Sequence, residues 1–210
     1  MSLVKVLFRD YRDSDYKSCE SLTNEAWEFD VNFEPKELSN IVKYMFTKGS
    51  IIGSNFRKVA EVNGETVGFI FGFNEMFPKP KGGLSFGLSI FKRILCVKGM
   101  SFRAKGKLLG AINTHEKNRL KVVSREKSEI ILFVVGSNHQ AKGYGKKLLS
   151  EFTSLCKNSG VKSIIVDTNK DGGSSFYKSI GFNHIGDFDS PLHEYAMKYG
   201  QACMYEYKLK

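Results

Sequence analysis

Gly143 and Gly145, with Lys142, Lys146 and Lys147 beside them, fall where a strand hands over to a helix. The run before them, SEIILFVV at 128–135, is apolar and β-branched, as a strand buried on both faces requires. After the turn, Leu148, Leu149, Phe152, Leu155 and Cys156 recur at helical spacing, and Gly160 stands where a C-cap belongs. Glycines at such a junction let the backbone approach a ligand closely. The unpaired amides of the first helical turn and the positive end of the helix dipole then make a site for an anion such as a phosphate. A turn shaped for geometry alone would have the same composition, with the lysines as solvated surface charges. Spacing excludes two nucleotide-binding loops. G-x-x-x-x-G-K-[ST] counted from Gly136 meets Ala141, and G-x-G-x-x-G counted from Gly143 meets Leu148.

Other reactive residues form no such pattern. Cys19, Cys96, Cys156 and Cys203 have no paired spacing, and His115, His184 and His193 have no ligand spacing, so neither a metal nor a disulfide framework is expected. His139, inside the turn, is expected to face solvent. A reducing cytoplasm is the simplest home: the opening MSLVKVLF has no basic leader, and no apolar run nears the roughly 20 residues of a membrane span.

The elements that must position the turn follow from periodicity. LVKVLFRD reads as a first strand, and DSDYKSCESLTNEAWEF as a helix with Asp13 or Ser14 as N-cap. Pro35 suits the first turn of a second helix, whose Leu38, Ile41, Val42 and Met45 share a face before Gly49 stops it. FRKVAEVNGETVGFIFG is a hairpin turning at Asn63-Gly64. PKPKGG is a loop, and LSIFKRILCVKGMSF and AKGKLLGAINTHEKNRL are short amphipathic helices. Glu129–Val135 and KSIIVDT are buried strands, GGSSFYKSIGF is a short helix closed by Gly181, and ACMYEYKL is a terminal strand. This order predicts a single α/β domain with a mixed sheet over residues 1–210.

Charge divides the chain unevenly. Residues 74–127 hold 13 Lys/Arg against Glu75, Glu116 and Glu126, which accounts for the whole net charge of +10. A neutral domain carrying a basic insertion at about 74–127 is the natural reading.

QAKGYG resembles the [Q/R]-x-x-G-x-[G/A] signature of the GNAT superfamily of acyl-CoA-dependent N-acetyltransferases, and SSFYKSIGF is similar to that family's later FYxxxGF segment. EIILFVVGSNHQAKGYG is especially like the corresponding strand and loop of the histone acetyltransferase branch. The order of elements outside the basic segment matches too. The resemblance implies a GNAT-like, mixed and mostly antiparallel central sheet flanked by helices, with the basic helical insertion between the third and fourth strands.

It also implies acetyl-CoA as co-substrate and no metal, with the acetyl group passed directly to a primary amine. Backbone groups of Phe133 and Val135 would pair with the pantetheine arm. The amides of Gln140, Ala141, Lys142, Gly143, Tyr144, Gly145 and Lys146 would hold the pyrophosphate. Ser137 stands where the family often has Pro. Tyr177 would protonate the departing thiolate, its alternative being an aromatic packed at the helix–sheet seam. Glu129 matches the catalytic glutamate of the histone acetyltransferase branch, where desolvation raises a carboxyl toward the value a general base needs. Its alternative is a strand-end carboxylate paired with a lysine, and Glu75 is a weaker candidate base. Asn169 lies four residues before Gly173 rather than the family's three, so the Gly172-Gly173 pair suggests a looser helix start.

Other classes compete. The cations and Phe86, Phe91 and Phe102 of the insertion could contact nucleic acid, although no nucleic-acid-binding motif is present. LSIFKRILCVKG could lie on an anionic membrane surface, and a non-catalytic acyl-CoA sensor would share the scaffold. A homodimer is compatible with the sequence. The insertion is expected to fold over the acceptor side of the cleft as a lid. Leu88, Phe91, Ile94 and Leu95 would pack inward, and Lys92, Arg93, Lys98 and Arg103 would form a positive rim favouring an anionic acceptor.

Overall fold

The structure, a computed structural model, describes residues 5–123, 127–170, 173–197 and 201–209. Met1–Val4, which include the start of the expected first strand, and Gly172 of the glycine pair lie outside those residues. Val6–Asp10 (β1), Phe56–Val62 (β2), Glu65–Phe73 (β3) and Ser128–Val135 (β4) run as neighbouring antiparallel strands. The β2–β3 turn falls at Asn63 and Gly64, with φ of 52° and 90°, the left-handed pair that a type I′ hairpin demands. Ser163–Asn169 (β5), Asn183–Asp189 (β6) and Gln201–Lys208 (β7) complete a seven-stranded sheet of order β1-β2-β3-β4-β5-β7-β6. Among the described residues only β4 and β5 are parallel, and they pair at Ser128↔Ile164 and Glu129↔Ile165. Beyond those residues the two strands part.

A bulge at Ile131 prepares this parting. The β3–β4 register passes from Phe71↔Leu132 to Gly72↔Ile130, leaving Ile131 without a partner of its own. Strict alternation would put Ile130, Leu132 and Val134 on one face. Instead Leu132 and Val134 pack with Cys19, Ile51 and Phe69, while Ile130 packs on the opposite side with Leu148 and Phe152. Glu129, next to Ile130, is thereby turned to the face that Leu132 occupies.

Helices cover both faces. Tyr16–Trp27 (α1), Phe29–Asn32 (α2) and Lys36–Gly53 (α3) precede the hairpin, and α1 and α3 supply Cys19 and Ile51 to the first face. Gly83–Cys96 (α4) and Phe102–Val122 (α5) form the basic segment, Tyr144–Asn158 (α6) covers the second face, and Ser174–Ser179 (α7) and Pro191–Met197 (α8) follow. α6 comes unusually near β3, since a Cβ on Gly72 would lie 2.6 Å from the Phe152 ring. The basic segment is bound into a helical core of its own, where Ile90, Ile94, Val97 and Leu108 pack against Phe29, Phe33, Leu38 and Val42.

Several local expectations need correction. A 3-10 turn at Asp13–Asp15 precedes α1, and neither Asp13 nor Ser14 caps it. Asp15 instead accepts from the Arg12 N–H and, at 2.7 and 2.8 Å, from the Arg9 guanidinium. α3 runs four residues past Gly49, and Pro35 is its N-cap residue. α2, β6 and α8 were not anticipated.

Candidate active site

The separation of β4 and β5 opens a cleft of about 1300 Å³. Its first wall is the bare edge of β4. The Gly136 N–H bonds to the Val67 carbonyl on β3. By the alternation of an antiparallel ladder, Val134 also turns its backbone groups to β3, whereas Phe133 and Val135 turn theirs toward β5. The Val135 carbonyl takes the Gln140 side-chain amide at 3.1 Å. The other wall is β5 with α7, through Asp167, Thr168, Asn169, Phe176 and Tyr177.

At one end of the cleft stands the turn into α6. Ala141 and Gly143 hold φ of 59° and 83°, and Gly143 is the N-cap. Lys147 N–H is the first to close a helical bond, on Gly143 O. The amides of Tyr144, Gly145 and Lys146 therefore face outward from the helix start, as an anion site requires. Gln140, Ala141, Gly143, Tyr144, Gly145 and Lys146 all line the cleft. Gly145 has no room for a side chain without pressing the Phe133 ring, 3.2 Å from where a Cβ would sit. Lys142 is turned aside, its Nζ donating to the Asn138 carbonyl at 2.8 Å. His139, expected in solvent, also lines the cleft.

Tyr177 lies in an aromatic group with Phe176, Phe182 and Tyr205 and is only 6% exposed. Burial, with Asp167 nearby, pushes its phenol well above the ordinary value. It stays protonated throughout the physiological range. Tyr177 thus both packs at the helix–sheet seam and lines the cleft. Gly173 is the N-cap of α7, with an ordinary φ of −66°.

The far end of the cleft is built by residues that pattern reading missed. His115 and Arg119 are one turn apart on α5 and so share a face; both line the cleft. Arg119 meets Glu129, so the partner of this carboxylate is an arginine. Burial raises the Glu129 pKa, with Arg119 opposing. The His115 Nδ1 lies 2.8 Å from Ser190 Oγ, and its Nε2 lies 3.7 Å from Asp167 Oδ2. The Ser190 hydroxyl also accepts the His193 N–H at 3.0 Å, and the two imidazoles are 5.2 Å apart. Burial pushes both histidines below their ordinary value, which keeps them neutral at pH 7. Glu75 is elsewhere, its carboxylate accepting the Ser128 N–H at 2.7 Å. The one available signal was the i, i+4 spacing of His115 and Arg119, which a search for metal-ligand spacing passes over. No cluster of metal-ligating side chains occurs among the described residues.

The expected lid is only half present. α5 walls the cleft, but no residue of α4 lines it. Of the four residues expected to pack inward, Ile94 does, while Leu88, Phe91 and Leu95 face solvent. Lys92, Arg93, Lys98 and Arg103 are exposed and none lines the cleft, so no rim of these cations surrounds its mouth. Among the described residues, no helix is long and apolar enough to cross a membrane.

Residues 92–182 match the Acetyltransferase (GNAT) family model. A search among curated proteins finds no relative by sequence. Solved structures share the fold at low identity. The PaiA N-acetyltransferase of Thermoplasma acidophilum, in complex with coenzyme A, is 15% identical with a TM-score of 0.58, over 98% of this chain and 99% of that one. YncA of Salmonella typhimurium, solved with acetyl-CoA, is 14% identical with a TM-score of 0.53, over 98% and 94%. The ribosomal-protein-S18-alanine N-acetyltransferase of Escherichia coli is 10% identical with a TM-score of 0.54, over 98% and 95%. With its β4–β5 opening and its turn into α6, the chain has the fold of these acetyltransferases, and its residues 92–182 are similar to the GNAT family model.

Proposed function

We propose that the protein is an acetyl-CoA-dependent N-acetyltransferase that passes the acetyl group directly to a primary amine. One observation carries the reading: the backbone edge at Phe133 and Val135, unpaired with β5, lies in the same cleft as the amides of Tyr144–Lys146. An extended chain of amides ending in a pyrophosphate suits those two features in that order. When bound, acetyl-CoA supplies the activated acetyl thioester. PaiA and YncA, which share the fold, are solved with coenzyme A and acetyl-CoA.

The residues of this chain then divide the work. Phe133 and Val135 would extend their backbone groups to the pantetheine arm, and the turn from Gln140 to Lys146 would hold the pyrophosphate. The Val135 N–H would donate to the thioester oxygen as negative charge develops on it. Tyr177, protonated at neutral pH, would give its proton to the departing thiolate.

His115 is our assignment for the base. If the Ser190 oxygen accepts from Nδ1–H, then Nε2 carries the lone pair and faces the gap to Asp167, which would stabilise the imidazolium. Glu129 is the second reading, favoured by its raised pKa but engaged by Arg119. At the cleft end Glu116, Glu129 and Asp167 outnumber Arg119, a balance that suits a positively charged amine better than an anionic acceptor. Release of free thiol from acetyl-CoA, followed across a panel of amines, tests the function. A folded protein that binds acetyl-CoA and releases none with any amine would be a sensor.

A further inference from the structure

α4 is apolar on two faces, and only one of them is used inside the protein. Ile90 and Ile94 are 5% and 1% exposed in the helical core. Leu84, Leu88, Phe91 and Leu95 follow at spacings of four, three and four, which brings all four onto one narrow stripe at 3.6 residues per turn. Their exposures are 83%, 55%, 45% and 39%. Phe102, at the start of α5, extends the patch and is 84% exposed. Lys105 links the two helices there, its Nζ donating to the Leu95 carbonyl at 2.6 Å and standing 5.5 Å from the Phe102 ring.

The surroundings of the stripe are basic. Residues 76–115 contain eight Lys/Arg and no Asp or Glu. Lys81, Lys92, Lys98, Arg103 and Lys107 are exposed. Glu37 of α3 accepts the Lys98 N–H at 3.1 Å. Arg93 lies over the Tyr44 ring at 5.0 Å.

We propose that the outer face of α4, continued by Phe102, docks on an anionic lipid bilayer, with Leu84, Leu88, Phe91 and Leu95 entering the interfacial layer. Lys92, Lys98 and Arg103 would meet the lipid headgroups. Charge complementarity selects this occupant. A second copy seated face to face would bring the two basic segments together with no carboxylate of 76–115 to offset them. An anionic surface relieves the same charges, and the stripe supplies the apolar contact that electrostatics alone lacks. This surface lies outside the cleft, so the inference is independent of the reaction assigned above.

Co-sedimentation of the full chain with vesicles tests it. The protein should pellet with phosphatidylcholine–phosphatidylglycerol vesicles and remain in the supernatant with phosphatidylcholine alone. The triple variant Leu84→Ser/Leu88→Ser/Phe91→Ser should lose roughly tenfold or more in partitioning. Its thermal unfolding should match the wild type, because the replaced side chains are exposed. Lys92→Ser/Lys98→Ser/Arg103→Ser should weaken partitioning and its salt dependence together. Equal partitioning of the apolar variant and the wild type would reduce the effect to unspecific charge adsorption and overturn the proposal. A wild type that stays in the supernatant with both vesicles also overturns it. In that event, light scattering on the same variants identifies a copy-to-copy contact, or an acidic amphipathic peptide identifies a protein partner.

Discussion

The His115 ring faces Asp167 with Nε2 and Oδ2 3.7 Å apart, so the most basic stretch of the chain meets the strand that parts from β4. This places a neutral imidazole and a carboxylate at the end of the cleft, away from the turn into α6.

The pH–rate profiles of two variants discriminate the bases. A base works deprotonated, so kcat/KM falls as pH drops through its pKa. Burial lowers the His115 value from 6.5, so its limb lies below that pH. Burial raises the Glu129 value while Arg119 opposes, and a Glu129 limb would vanish in Glu129→Gln. We expect a limb below pH 6.5 that is abolished in His115→Asn and kept in Glu129→Gln.

Tyr177→Phe should lower kcat by about 10²–10⁴-fold with little change in acetyl-CoA affinity. The ring packing with Phe176, Phe182 and Tyr205 survives in the variant, so its unfolding midpoint is the control. Wild-type turnover would leave Tyr177 a core residue only.

Ala141 offers a cleaner probe of the anion site than either glycine. A side chain at Gly143 is strained whatever its charge, because φ there is 83°. Ala141 is already left-handed at 59° and exposed, a conformation that Asn and Asp tolerate. Ala141→Asp should weaken acetyl-CoA binding roughly tenfold through charge, and Ala141→Asn should not. Calorimetry on both variants separates charge from geometry.

Asp15 tests the fold apart from the chemistry. Burial opposes its ionisation, but the Arg9 guanidinium, the Arg12 N–H and the Thr66 hydroxyl together hold its carboxyl below the ordinary value. Its contribution is therefore present above the unfolded value near 3.8 and is lost as pH falls through the folded one. Asp15→Asn should cost about 2–3 kcal/mol at pH 7 in urea unfolding, and the difference should shrink below about pH 4.

The sequence carried the signals that local chemistry writes. Asn63-Gly64 made the hairpin readable, the run at 128–135 made β4 readable, and the glycines at 143 and 145 marked the cleft mouth. The Ile131 bulge left no mark, because an extra residue in an apolar run looks like the run itself. β6 was missed because Asn183, His184, Asp187 and Asp189 break any alternation, as an outer strand with little to bury permits. α4 shows why periodicity can name a helix yet misassign its faces. Two apolar stripes compete for the interior, and only packing against Phe33 and Leu38 decides that Ile90 and Ile94 take it. The His115–Asp167–Ser190 group joins positions 115, 167 and 190, a conjunction that only tertiary structure creates.

The early parting of β4 and β5 has a consequence for mutational tolerance. A strand border that faces outward invites other chains to join it, and proteins blunt such borders with charge. Here the open border of β4 is interior, closed at one end by its two residue pairs with β5 and walled by α6 and α7. What that border offers is main chain, so the side chains of Phe133 and Val135 can vary without loss of its donors and acceptors. Proline, which lacks the N–H, is the one residue that would remove a donor there.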